Sequence, residues 1–349
     1  MAPAGSLVQQ ARGLGTSSLA AAPSGPVLTY EMICGGALKD AREKRRESGL
    51  RAVMPELRPK FEAIVKKYGL PALSGEEYID PAINSVTFTY SRKTEQAKAA
   101  VAEFAEAIES VVLKRVALPD YGRIKADMIS RIGKEPGLSA DAKTELVRRV
   151  GLTDLVLPSK YIRDHITTTD ELWPVISQLT QDQAWNASYE DLGGAGTPGL
   201  AKDQSVVIVY MGLLLADATH LDYVLLHETA HSIDSGRLPS LYDRYAGCMK
   251  QRHRTEFKGW DEVVADYWAV SALAQVLPRA GGPAQRLDYL RKSFELICDT
   301  SGEAGSIIIG MIKVDHPSGQ YRIENVLGGE PDILRALSLP ASQAPACRP

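Results

Sequence analysis

His227-Glu228-Thr229-Ala230-His231 is the stretch that decides the fold, an HExxH motif in a chain with only six histidines. Apolar residues surround the motif with the spacing of one helix face, at Tyr223, Leu226, Ala230 and Ile233. Residues four apart on a helix share a face, so both imidazoles can reach one metal ion. Glu228 then lies beside a water molecule at that metal and does not ligate the metal itself. The alternative is a helix with two ordinary surface histidines.

The ends of this helix are also marked in the sequence. Thr219, with Asp222 three positions later, resembles a capping box, and Gly236 lies where a glycine often ends a helix. We therefore predict one amphipathic helix that carries both histidines.

A catalytic zinc ion usually has three protein ligands and one open position, so the motif needs a third ligand. The residues after the motif lack the histidine that the metzincin extension requires. A later predicted helix carries Glu262 and Asp266 four positions apart, with both carboxylates on one side. Glu262 is our predicted third ligand, and Asp266 is predicted to hold a ligand histidine in one tautomer. Asp261 and His253 are rival ligands, and a solvated acidic face is the other interpretation of the pair.

The composition excludes several classes of protein. The 349 residues include 40 basic and 43 acidic side chains, a net charge of −3, which gives no reason to expect nucleic acid or an anionic membrane as partner. No apolar run approaches the roughly 18 to 20 residues of a membrane-spanning helix, so we expect a soluble protein. The four cysteines permit two disulfides without demanding them. Between compartments, we favour a periplasmic or secreted location over the cytoplasm.

The chain divides by composition and periodicity into four predicted parts. Residues 1–30 are expected to be a flexible leader, 31–160 a mostly helical N-terminal region, 161–338 the domain with the motif, and 339–349 a tail. Within the N-terminal region, the periodicity predicts helices near 36–70, 92–117, 121–132 and 139–150. The alternation in Ile83–Tyr90 predicts a strand, and the apolar run Ser205–Tyr210 predicts another.

The HExxH motif with a glutamate ligand from a later helix resembles the gluzincin arrangement of zinc metallopeptidases. Several further stretches are similar to the HtpX-type and CAAX prenyl endopeptidase-type branch, which includes minigluzincins. These stretches are Met211-Gly-Leu-Leu-Leu, Glu262-Val-Val-Ala-Asp266-Tyr-Trp-Ala, His316-Pro-Ser-Gly-Gln-Tyr-Arg322-Ile, and the pairs Asn186-Ala187 and Gly193-Gly194. A neighbouring gluzincin family, of the MtfA type, also has HExxH followed by Asp and Leu-Pro, so the branch is less specific than the clan.

The resemblance implies an α+β fold, a mainly helical zincin-like metallopeptidase domain with a small sheet and an edge strand. The implied activity is that of a metalloendopeptidase with one Zn²⁺ per chain, held by His227, His231 and Glu262, and a peptide or protein as substrate. Zinc would activate a water molecule, and Glu228 would take its proton as general base and pass it to the leaving amine.

Two further roles follow from the same resemblance. His316 or Arg322 would stabilise the oxyanion, although Arg322 could instead pair with Asp266 and only support the site. The extended substrate would pair by β-addition with an edge strand formed by Val206, Val207, Ile208, Val209 and Tyr210.

Two rival hypotheses remain open at the level of sequence. The protein could be a non-catalytic binding or scaffold protein on a peptidase fold, although every expected ligand and the general base are present. Alternatively, a zinc enzyme could carry its N-terminal half as a scaffold, a cover or an inhibitory pro-region.

Overall fold

The computed structural model describes residues 27–35, 50–71, 80–180, 187–192, 203–215, 218–253, 259–298, 306–309, 312–315, 317–342 and 347–349. These residues are mostly helical and also form a three-stranded and a two-stranded sheet, consistent with the predicted α+β class. The helices before the first strand are α1 (Tyr30–Cys34), α2 (Met54–Tyr68), α3 (Asp80–Thr89), α4 (Thr94–Val112), α5 (Tyr121–Lys134) and α6 (Ala140–Gly151). All four predicted N-terminal helices are thereby confirmed within the described residues, and residues 36–49 of the first lie outside them.

The second half alternates short strands with longer helices. In chain order its elements are β1 (Thr153–Val156), α7 (Pro158–His165), α8 (Leu172–Thr180), β2 (Ala187–Asp191), β3 (Ser205–Val209), α9 (Met211–Leu214), α10 (Ala218–Ala230), α11 (Pro239–His253), α12 (Trp260–Val276), α13 (Pro283–Cys298), β4 (Ser306–Ile309), β5 (Ile312–Asp315), α14 (Gly319–Tyr321) and α15 (Pro331–Ala336). None of the helices in the described residues is long and apolar enough to cross a membrane.

The three-stranded sheet has the order β1-β3-β2. Strand β1 pairs with β3 in parallel, and β2 pairs antiparallel with the other side of β3, with Glu190 opposite Val206. Every residue of β3 is buried. The prediction that Val206–Tyr210 forms the edge strand is therefore wrong, because β3 has a neighbour on both sides. The edge that faces the helix with the motif belongs to β2, which contacts α10.

The predicted strand at Ile83–Tyr90 is also wrong, because this stretch lies in helix α3. Its β-branched residues fit a helix equally well: Ile83 and Val86 are three apart and both fully buried. Helix α3 packs against α4 and α8, and the ring of Phe88, although 75% exposed, lies 5.6 Å from the ring of Trp173 on α8. Burial of one helical face has overridden the β-propensity of the residues.

Helices α10 and α12 pack along each other and position the motif. Helix α10 ends at Ala230 and continues as a 3₁₀ turn, His231–Ile233. The hydroxyl of Tyr242 donates to the carbonyl of Ile233 at 2.5 Å and accepts the indole N–H of Trp268 on α12 at 2.9 Å. This buried pair fixes the turn with the second histidine against α12.

The N-terminal helices form part of the same core. Helix α5 packs against both α10 and α12. In that contact Arg131 donates to Glu135 at 2.6 Å, and Tyr267 of α12 donates to the same carboxylate at 2.7 Å, all buried. Strand β1, which precedes residue 161, belongs to the sheet with β2 and β3. The sheet and the core therefore cross the boundary predicted at 160/161.

Two disulfides join the ends of the described chain to its second half. Cys34 is bonded to Cys298 of α13, and Cys248 of α11 to Cys347. Leu28, within the predicted leader, is fully buried, so the packed part of the chain begins before residue 31. The bridge at Cys347 likewise fixes part of the predicted tail.

Candidate metal centre

The three predicted ligands converge from two helices. His227 lies in the last turn of α10, His231 begins the following 3₁₀ turn, and Glu262 lies in the first turn of α12. The Nε2 atoms of the two histidines are 3.2 Å apart, and Oε2 of Glu262 is 3.2 Å from the first and 3.8 Å from the second. One ligand atom from each residue thus lies within 4.8 Å of the other two. The i, i+4 spacing of the motif therefore places both imidazoles close enough to reach one metal ion, as the sequence predicts.

The far side of His227 is held by a buried carboxylate. Nδ1 of His227 lies 2.9 Å from Oδ1 of Asp266, one turn after Glu262 on α12. The same oxygen accepts the hydroxyl of Tyr223 at 2.5 Å, and Asp266 is fully buried. A carboxylate at Nδ1 favours the tautomer with its proton there, which leaves the Nε2 lone pair for a metal ion. Asp266 therefore lies where the sequence predicted it.

Arg322 pairs with Asp266, the second of its two predicted roles. It begins a π-helical turn, Arg322–Leu327, that follows α14 and packs against α12. Its Nε and one terminal nitrogen donate to the two carboxylate oxygens of Asp266 at 2.6 and 2.5 Å, and the side chain is buried. His316, the other candidate for oxyanion stabilisation, lies outside the described residues.

The rival ligand Asp261 lies away from the ligand cluster. Its carboxylate accepts a hydrogen bond from the hydroxyl of Ser235 and approaches Gly236. The side chain of His253, the other rival, is outside the described residues.

His231 has its own carboxylate partner, which sequence reasoning missed. Nδ1 of His231 lies 3.0 Å from Oδ2 of Asp234, a buried residue three positions later. Oδ1 of Asp234 accepts the backbone N–H of Arg237 at 3.2 Å, and the guanidinium of Arg237 is 3.6 Å from Oδ2. The i, i+3 spacing after a ligand histidine was the available signal.

Neighbouring charges and hydrogen bonds outweigh burial in setting the pKa values of this cluster. Burial alone would raise the pKa of Asp266, but the charge of Arg322 and the contact with His227 hold it well below its usual range. Burial alone would lower the pKa of His227, but hydrogen bonds with Asp266 and Glu262 raise it to about 10. A metal ion at this position must therefore displace a proton from the histidine pair.

The predicted general base, Glu228, is 6% exposed and lies on α10, the helix that contacts both α5 and β2. The next residue, Thr229, shares a buried hydrogen bond of 2.9 Å with the hydroxyl of Tyr121 on α5. On β2, burial raises the pKa of Glu190 to about 7, and the charge of Glu228 adds to this effect. The two carboxylates are thus electrostatic neighbours across the gap between helix and edge strand.

Strand β2 reaches the second histidine through Tyr189. The ring of Tyr189 lies 6.1 Å from the ring of His231, centroid to centroid. The guanidinium of Arg237 lies 4.4 Å from the centre of the tyrosine ring, and its Nε donates to the hydroxyl at 3.1 Å. Arg237 therefore connects the carboxylate partner of His231 to the edge strand.

The chemistry and spacing of the three ligand atoms fit a zinc ion. Two imidazole nitrogens and one carboxylate oxygen are a common donor set of catalytic zinc, which keeps one further position open. Donors about 2.0 to 2.1 Å from a tetrahedral ion are about 3.4 Å from one another. The observed separations of 3.2, 3.2 and 3.8 Å bracket that value. Both Nδ1 atoms face carboxylates, so both Nε2 atoms can serve as donors.

Comparison of the chain with known protein families, with characterised proteins and with solved structures found no match.

Proposed function

We propose that the protein is a zinc-dependent metallopeptidase with a zincin-like fold, of the gluzincin type and related to the HtpX-type and CAAX prenyl endopeptidase-type branch. The observation that carries the proposal is the convergence of His227, His231 and Glu262 beside the buried Glu228. A second support is that each histidine has its own carboxylate at Nδ1, as ligand histidines commonly do.

In this proposal, separate residues hold the metal ion, transfer the proton and orient a ligand histidine. His227, His231 and Glu262 would hold the ion, which would supply Lewis-acid activation of a water molecule and of the substrate carbonyl. The carboxylate of Glu228 accepts a proton from the attacking water and then donates it to the nitrogen of the leaving amine. Asp266, fixed by Arg322 and Tyr223, keeps the ring of His227 in one orientation through both proton transfers.

The proposed path of the substrate is the open edge of β2. Among the described strands of the three-stranded sheet, β2 has a neighbour on one side only, and it contacts both α10 and the turn with His231. An extended peptide can add to such an edge through main-chain hydrogen bonds. The bond to be cleaved would then lie close to Glu228. A peptide could not pair with β3 in this way, because both edges of β3 are already paired within the sheet.

The test combines metal content with peptide hydrolysis. We expect about one zinc per chain by elemental analysis of the zinc-supplemented protein, and loss of that zinc in His227→Ala. Glu228→Gln should keep the zinc and lower the hydrolysis of a mixed peptide library by about 10²- to 10⁴-fold. Zinc binding without cleavage of any peptide by the wild type would instead favour a non-catalytic scaffold. Full activity in Glu228→Gln would contradict the proposed role of that residue.

The disulfides support a location in an oxidising compartment, periplasmic or extracellular. All four cysteines are paired, and disulfides persist mainly outside the reducing cytoplasm. Mass spectrometry of the native protein after alkylation should find no modified cysteine. Four alkylated cysteines would contradict this part of the proposal.

A further inference from the structure

One carboxylate beside the metal centre has no role in the proposed mechanism. Glu190 is the fourth residue of β2, half-buried, on the strand that contacts α10, the helix with Glu228. Burial raises the pKa of Glu190, and the charge of Glu228 raises it further. Among the described residues, no side chain donates a hydrogen bond to its carboxylate or forms an ion pair with it. A half-buried carboxylate without a bonded partner is costly, and such groups usually have one.

The described cation that acts on Glu190 is Arg237, which is engaged elsewhere. Arg237 lowers the pKa of Glu190 only as the third influence, after burial and the charge of Glu228. Its guanidinium lies 3.6 Å from both Asp191 and Asp234, and its Nε donates to the hydroxyl of Tyr189. Alternate residues of a strand point to opposite faces, so Tyr189 and Asp191 are turned towards Arg237 while Glu190 is turned away. Within the described residues, the charge of Glu190 is thus left for a proton or a bound cation to neutralise.

The position of Glu190 on the proposed substrate strand indicates what kind of cation would bind there. A peptide added to the open edge of β2 would run directly past this residue, with its scissile bond near Glu228. The two carboxylates repel an acidic group on the peptide and attract an ammonium or guanidinium group. A cation that enters this partly desolvated position would form a charge-assisted hydrogen bond with Glu190.

We propose that Glu190 is a specificity-determining residue, which selects peptides that present a positively charged group to strand β2 beside the metal centre. This inference rests on the proposed peptidase function. The charged group has two possible sources in a peptide, namely a lysine or arginine side chain and a free N-terminal α-amino group. Both sources share the chemistry that Glu190 recognises, and the experiment below separates them.

The experiment compares quenched fluorescent peptides on the zinc-loaded protein. One series moves a single lysine through an otherwise neutral sequence, with norleucine or glutamate at the same position as references. A second series has free or acetylated N-termini. We expect one lysine position, or the free N-terminus, to raise kcat/KM about tenfold or more over the neutral reference, which is the scale of one charge-assisted hydrogen bond. Acetylation abolishes the preference only if the α-amino group is the source.

The decisive variant is Glu190→Gln, which keeps the size and polarity of the side chain and removes its charge. The ratio of kcat/KM between the cationic and the neutral peptide should fall to near one, and Glu190→Asp should keep part of the preference. The matched control is Asp154→Asn on β1, at the opposite edge of the same sheet, where the carboxylate is exposed. This control should leave the ratio as in the wild type.

Failure of this inference differs from failure of the proposed function. A wild type that cleaves cationic and neutral peptides equally well, or a preference that persists in Glu190→Gln, would overturn the inference while the peptidase stands. If the wild type cleaves no peptide, the proposed function fails. In that case, fluorescence anisotropy of the same peptides with the metal-free wild type and Glu190→Gln decides the inference, and equal affinities for cationic and neutral peptides would overturn it.

Discussion

The two candidate ligand histidines are held in different ways, and the difference divides the proposed metal centre into a closed half and an open half. Nδ1 of His227 faces Asp266, which in turn is bonded to Arg322 and Tyr223. All of them are buried between α10, α12 and the π-helical turn. His231 backs onto Asp234, whose next partner, Arg237, is 25% exposed and extends to β2. The closed half is fixed by the core, whereas the open half is coupled to the strand proposed to bind substrate. If the two halves differ in this way, matched substitutions in them should have unequal effects.

The largest effect is expected from Arg322→Met in the closed half. This change leaves the carboxylate of Asp266 buried without its cation, which typically costs about 3 to 5 kcal/mol. Urea unfolding of the metal-free protein should show that loss in the free energy of unfolding. Arg237→Met is the matched change in the open half, and its partly exposed ion pairs should contribute about 1 kcal/mol or less. Equal losses for the two variants would contradict the division into two halves.

The next effect is on zinc affinity, through Asp266→Asn. The substitution keeps the shape of the side chain but weakens its hydrogen bond with Nδ1 of His227. Changes of this kind usually lower metal affinity by roughly 10- to 100-fold. Competition with a chromophoric chelator measures the dissociation constant. Glu330→Gln is a suitable control, because Glu330 is also buried and accepts a hydrogen bond from Ser271 of α12. That variant should lose stability but keep its zinc affinity.

The closed half is also the part that could be predicted best from the sequence. The i, i+4 spacings within HExxH and between Glu262 and Asp266 place side chains on a common face of a helix whatever the rest of the fold does. Such local rules suffice for His227 and Asp266 of the closed half, and they also place His231 of the open half on the same side as His227. The pairing of Arg322 with Asp266 joins residues 56 positions apart, and only the packing of the π-helical turn on α12 decides it.

The open half depends on the order of the strands, which the sequence does not reveal. The apolar run in β3 correctly predicted a strand, but its place in the centre depends on pairing with β1, a strand of four residues. A strand buried on both faces can be central or lie at an edge covered by helices, so its composition does not distinguish the two positions. The apolar pattern therefore predicts β3 as the substrate strand and gives no signal for Glu190 and Tyr189 of β2.

A smaller loss of zinc affinity is expected from Asp234→Asn in the open half. His231 is 14% exposed at its side chain, against 1% for His227, so water can replace part of the lost hydrogen bond. We expect a decrease of about tenfold or less, at the lower end of the range for such partners. The chelator competition described for Asp266→Asn measures both variants side by side. A larger loss than in Asp266→Asn would reverse the assignment of the closed and open halves.

The smallest expected effect concerns stability against pH, through Glu190→Gln. The pKa of Glu190 is raised to about 7 from 4.5, so the folded protein binds a proton that the unfolded chain releases. Wild-type stability should therefore fall as the pH rises from about 5 to about 8, and the glutamine variant should lack this part of the decline. The thermal unfolding temperatures should agree near pH 5, and the variant should be the more stable by on the order of 1 kcal/mol near pH 8. Asp154→Asn should show no such pH-dependent difference.

This last measurement bears on the open half as a binding site, because it is made without substrate. If ionisation of Glu190 lowers the free energy of unfolding of the free protein, a cationic peptide that neutralises Glu190 would restore that stability on binding. If this loss of stability is present, addition of the preferred cationic peptide to the metal-free protein at pH 8 should raise the unfolding temperature of the wild type more than that of Glu190→Gln. If the two proteins have the same pH profile, another group compensates the charge of Glu190. The open half then contains no uncompensated carboxylate, and in this respect it is like the closed half.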